Sequence, residues 1–253
     1  MLKKLIKHEF LSSWKIMLPL YAAMLVAAGA GRLLNAFGSS ETTIMQTITN
    51  VVRILNDIVV VLAVFLTLYV IAQRVYRSML GEDGAENMSL PVTIRAHLTA
   101  RFIAAMVWCA GTMGFSVFAY WLYRATLPPV VTVFFNSGFG ILYNLMAAVI
   151  ALLMASVIVA GIYLAAAVGH LFLKQRPAAT VISGVVILAV LGGASWLVFE
   201  FGVFEKIFAF VGDGAVAVMS DYGLFGAVFF SALCIACFEA ANSILKKHLN
   251  ILD

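Results

Sequence analysis

Six long apolar runs separated by short polar ones restrict this chain to one kind of fold. A helix of about 20 apolar residues crosses the hydrocarbon core of a bilayer. Residues 15–37, 52–73, 97–122, 141–169, 178–200 and 223–245 all reach that length. Of 253 residues, 64% are hydrophobic and 11% charged, against roughly 25% charged in a soluble domain, so little remains for a water-facing module. The sequence predicts an all-α membrane protein with six transmembrane helices in a single domain over residues 1–253. No long linker, low-complexity segment or strong internal repeat divides it.

Basic residues set the orientation. With the N-terminus in the cytoplasm, the inner side carries Lys3, Lys4, Lys7, Lys15, Arg74, Arg77, Arg95, Arg101, Lys174, Arg176, Lys246 and Lys247, twelve of the 16 Lys and Arg residues. The outer side keeps Arg32, Arg53, Arg124 and Lys206. The excess of positive charge on cytoplasmic loops then places both termini inside, and an even number of spans agrees.

Residues 1–14 put Leu2, Leu5, Ile6, Phe10 and Trp14 on one helical face and Lys3, Lys4, Lys7 and His8 elsewhere. That pattern fits a short interfacial helix, or simply a charged anchor for the first span. No A-x-A cleavage site follows, so the segment reads as retained. Pro19 falls in the first turns of span one, where a missing N–H costs little. Small residues recur every four positions as Ala23, Ala27 and Gly31, as Ala147, Ala151 and Ala155, and as Ala232, Ala236 and Ala240, and predict close-packed helix faces. Residues 201–222 mix apolar side chains with Glu205, Lys206, Asp213 and Asp221, which suits either re-entrant outer helices before span six or an amphipathic segment on the outer surface.

Soluble catalytic patterns are missing. No Lys follows a Gly, so there is no phosphate-binding G-x-x-x-x-G-K-[ST] loop, and H-E-x-x-H and G-x-S-x-G are absent too. The chain is expected to have no enzymatic site and no cofactor or metal of its own. His8, His97, His170 and His248 map to cytoplasmic helix ends and read as interfacial, and Cys109, Cys234 and Cys237 as packing residues.

Ionisable residues inside spans are expensive and mark either a transport path or a buried pair. Arg32 and Asp57 lie at similar depths in spans one and two, which allows them to pair, with Arg53 as an alternative partner for Asp57. Glu239, near Asn242 and Ser243, either lines an inner cavity or pairs with a basic residue such as Arg101.

One cytoplasmic stretch stands apart: Leu80 to Val92, a polar island carrying Glu82, Asp83 and Glu86 between helices that end in Arg74, Arg77, Arg95 and Arg101. Asp83 with Glu86 reads as an N-cap with its capping-box partner, and Pro91 disfavours helix at Leu90, which predicts a helix of about two turns over residues 81–90. So short a helix needs tertiary contacts to stay ordered. The anionic inner leaflet repels its acids, so it points toward protein.

The run Tyr76-Arg77-Ser78-Met79-Leu80-Gly81-Glu82-Asp83-Gly84, followed by Met88-Ser89-Leu90-Pro91-Val92, resembles the linker between spans two and three of small bacterial ABC-transporter permeases. In those relatives Gly/Thr-Asp-Glu-Gly and an aromatic precede Leu-Pro-Val. The N-terminal Lys-Lys-Leu-Ile-Lys-His-Glu-Phe, with the Trp and Pro that follow, is similar to the same proteins. The chain departs from the pattern in carrying Glu82-Asp83 for Asp-Glu, and Ala85-Glu86 in place of the aromatic and its apolar neighbour. The resemblance implies a type V exporter half in a bacterial cytoplasmic membrane. It implies a separate ATPase that binds the ATP and Mg, and a second permease copy or paralogue beside it in the bilayer, with no nucleic-acid partner. Gly81, Glu82, Asp83, Glu86, Met88, Leu90 and Pro91 would form the docking surface. The rivals are a secondary transporter or channel working through Arg32, Asp57 and Glu239 without an ATPase, and a non-transporting membrane scaffold.

Overall fold

The structure, a computed structural model, describes residues 2–37, 43–80, 94–124, 140–172, 176–200 and 215–249. Those residues form α1 (Leu2–Phe37), α2 (Thr43–Leu80), α3 (Ile94–Arg124), α4 (Gly140–His170), α5 (Arg176–Glu200) and α6 (Ala215–Leu249). Each holds a stretch long and apolar enough to cross a membrane: Ser13–Leu34, Thr47–Arg77, Arg95–Tyr123, Ala148–His170, Pro177–Trp196 and Gly226–Lys247. The chain is an all-α, multi-pass membrane protein. Lipid offers the backbone no hydrogen-bond partner, and a helix satisfies its own N–H and C=O groups. Even α5, with 25 residues, reaches about 37 Å, longer than the roughly 30 Å hydrocarbon core.

One segment departs from the interfacial-helix alternative and keeps the anchor one, and a second is described only in part. Residues 1–14 do not form a separate helix: α1 runs without a break from Leu2, and no Gly precedes Gly29 to interrupt it. Pro19 consequently lies in the interior of α1, where it deprives the Lys15 carbonyl of its N–H partner. Of residues 201–222, 201–214 lie outside the described residues, and 215–222 are the first turns of α6, continuous with the last span.

The helices fall into two compact units that divide α2 and α3 between them. The first comprises Met1–Val70 and Ile103–Asn144. In it α1 and α3 run parallel, with Tyr21 beside Thr112 and Arg32 beside Leu122, and α2 runs against both, with Thr67 beside Thr112 and Val52 near Tyr123. The main core gathers Met17, Tyr21, Met24, Ala63, Val70 and Trp108. Tyr21 stacks on Phe115 with centroids 4.4 Å apart, and Phe10 stacks on Trp108 at 4.6 Å. A second cluster joins Ala28, Ala119 and Tyr123. Because lipid tails are as apolar as Leu, close fit rather than water exclusion holds such helices together. Gly31 supplies that fit: a Cβ on it would stand 2.6 Å from the Tyr123 ring.

The second unit comprises Ile71–Phe102 and Leu145–Asp253. Its α4 and α5 pack antiparallel, with Gly169 against Thr180, Ser183 Oγ donating to the Ala165 carbonyl at 3.1 Å, and Gly161 against Leu191. A Cβ on Gly169 would lie 2.0 Å from Thr180 Oγ1, so nothing larger fits there. Cys234 of α6 reaches the Ser156 carbonyl of α4 at 3.7 Å. Phe102 of α3 meets Tyr163 of α4 and Phe238 of α6 edge-on.

On α1 and α6 the four-residue ladders of small side chains match the packed faces only in part. On α6, Ala232 and Ala236 are exposed while Phe230, Cys237, Ala241 and Leu245 are buried. On α1, Ala23 is exposed, and the buried stripe runs Met17, Tyr21, Met24, Ala28, Gly31. Small residues are as content against lipid as against protein, so their spacing alone does not fix which face turns inward.

Candidate functional site

The residues expected to dock a partner, Gly81, Glu82, Asp83, Glu86, Met88, Leu90 and Pro91, lie outside the described residues. Their brackets are described: α2 ends at Leu80 and α3 begins at Ile94. Arg77 is exposed near the end of α2, and Arg95 stands in the first turn of α3.

Arg95 is the residue that answers Glu239. Its guanidinium donates to Glu239 Oε1 of α6 in an ion pair, and the Asn242 side-chain amide donates to Oε2 at 3.4 Å. Glu239 is therefore paired, as its cost within a span requires, but to Arg95 and not to Arg101. Helix geometry explains the choice. Residues seven apart share a face, and Phe102, seven beyond Arg95, touches Phe238 with centroids 5.6 Å apart. Arg95 and Phe102 thus both face α6, whereas Arg101 lies a residue off that stripe.

Arg32 and Asp57 are not brought together. Arg32 Nη1 donates to the Leu122 carbonyl of α3 at 3.1 Å, capping a backbone group near the end of that helix. Asp57 is exposed, and no ion pair to it or to Arg53 is present among the described residues. Its neighbour Asn56 is 3% exposed, with both amide atoms buried and without a hydrogen-bond partner. Asn56 carries no charge, so the sequence alone does not set it apart from Asp57 beside it.

A polar layer inside the first unit went unread too. Thr112 Oγ1 lies 3.0 Å from Tyr21 Oη, 2.9 Å from Thr67 Oγ1 and 3.0 Å from the Trp108 carbonyl. A hydroxyl has one proton and two acceptor sites. The consistent arrangement has Thr112 donating to the Trp108 carbonyl while accepting from both Tyr21 and Thr67, which ties α1, α2 and α3 at one point. Two threonines at the middle of otherwise apolar runs were the available signal.

Cys109 and Cys237 are buried, and all three cysteines are free thiols. Among the described residues no three His, Cys, Asp or Glu side chains gather where they could hold a metal ion. The chain matches no protein-family model, no curated protein and no solved structure.

Proposed function

We propose that this chain is the membrane-spanning permease subunit of an ATP-driven ABC exporter of the type V class, coupling ATP hydrolysis by a separate cytoplasmic ATPase to substrate efflux. It works beside a second permease, the same chain or a paralogue, in a bacterial cytoplasmic membrane with both termini inside. The observation that carries this reading is the acid-bearing segment between α2 and α3, whose residues 76–84 and 88–92 resemble the linker of that family. Gly81, Glu82, Asp83, Glu86, Met88, Leu90 and Pro91 dock the ATPase, which binds ATP and Mg. This chain needs no cofactor.

One feature favours the reading over a secondary transporter, and another suits its orientation in the membrane. Arg32 and Glu239, two of the three span charges such a transporter would use, are engaged in helix contacts. In the second unit, Arg74, Arg77, Arg95, Arg101, Lys246 and Lys247 stand where α2 ends, α3 begins and α6 ends, a concentration of base that suits the cytoplasmic face. The test is expression with the ATPase encoded beside it, followed by solubilisation and capture on a tag carried by the permease. Retention of the ATPase through washing is the expected result; its consistent absence sinks the proposal.

A further inference from the structure

The Arg95–Glu239 pair does more than neutralise a carboxylate. Arg95 is the second residue of α3, so it moves with the start of that helix. Glu239 lies eight residues before the end of the span Gly226–Lys247, about 12 Å along α6. The two side chains are 67% and 42% exposed, so the orientation of the carboxylate, not burial, holds the pair in register. Asn242 holds the second carboxylate oxygen and leaves Oε1 aimed at Arg95. Two turns further along the same face of α3, Phe102 is wedged against both Phe238 and Tyr163. The start of α3 is thus attached to α6 at two points, one ionic and one aromatic, and two attachments on one face oppose hinging between them.

We propose that the Arg95–Glu239 pair, oriented by Asn242, is the link that passes a displacement of the start of α3 to α6. The proposal rests on the ATPase-docking reading given above. Arg95 and Glu239 are positioning residues in it: a push delivered at the start of α3 displaces α6 along with α3, and without the pair α3 moves alone.

The test uses the permease–ATPase complex, with Cys109, Cys234 and Cys237 replaced by Ala and the single label site S243C, an exposed position one turn beyond Glu239. Labelling by a water-soluble maleimide is timed with and without ATP and vanadate. Trapping is expected to change the parent rate about fivefold, the low end of typical coupling between sites. E239Q and, independently, R95Q should abolish the change while retaining the ATPase, and the reversed pair R95E/E239R should restore it. Variants that respond as the parent does overturn this inference and leave the docking reading standing, as does a parent that holds the ATPase without responding. A parent that never holds the ATPase overturns both.

Discussion

Replacing Thr112 by Val removes the hub of the hydroxyl layer while keeping its shape. The loss is limited because both hydroxyls that donate to Thr112 have a second acceptor within reach: Tyr21 Oη lies 3.2 Å from the Trp108 carbonyl and Thr67 Oγ1 lies 2.8 Å from the Ala63 carbonyl. Each turns to its fallback and nothing is orphaned. Tyr21 still bonds α3 through the Trp108 carbonyl, so what disappears is the Thr67–Thr112 contact between helices, worth about 0.6 kcal/mol in membrane proteins, and T112V is expected to lower stability by about that much. If the fallbacks failed, two buried hydroxyls would be stranded at about 1–3 kcal/mol apiece. Unfolding by SDS in mixed micelles, followed through the reactivity of the buried thiols of Cys109 and Cys237, reads the difference. A second arm adds T67V: alone and with T112V it should show a coupling of about 0.6 kcal/mol, since each change removes the same contact between helices. A loss above about 3 kcal/mol for T112V, or strict additivity of the two changes, would refute the hub assignment.

Three further outcomes follow from the same contacts. N56L removes a buried amide whose atoms have no partner and should raise stability by about 1 kcal/mol in the same unfolding assay, because an unpaired polar group is worth less than an apolar one of similar size. G31A drives a methyl into the buried Tyr123 ring and should cost about 1–3 kcal/mol, while G29A, with nothing within 4 Å of the added Cβ, should leave the midpoint unchanged. E82A/D83A/E86A should leave membrane insertion intact and weaken capture of the ATPase about tenfold, the sum of three modest exposed charge contacts; equal capture by parent and variant would remove these acids from the docking surface.

How far the sequence could be read depended on what each residue reports. Hydropathy marked six apolar runs, and each lies within one long helix, since twenty apolar side chains in a row have one stable environment. It said nothing of helix phase: Ala232 and Ala236 looked like a packing face and are exposed, whereas the buried face of α6 carries Phe230, Cys237 and Leu245. The need of Glu239 for a partner was legible from its charge and depth. Its choice of Arg95 was not, because that depends on which face of α3 meets α6. Arg32 defeated the reading differently: it bonds a backbone carbonyl, and every residue carries one, so no pattern of side chains marks the acceptor. Interior Pro19 was misplaced because the helix begins twelve residues earlier than the span it enters, at Leu2 rather than near Trp14.

The central claim, that segment 81–93 docks a separate ATPase, is tested most directly by a photo-crosslinking amino acid placed at Met88 in cells that express both proteins. The account predicts a light-dependent adduct of permease and ATPase that fades when E82A/D83A/E86A is added. Adducts with lipid or with another part of the permease only, at full expression of both partners, would contradict it.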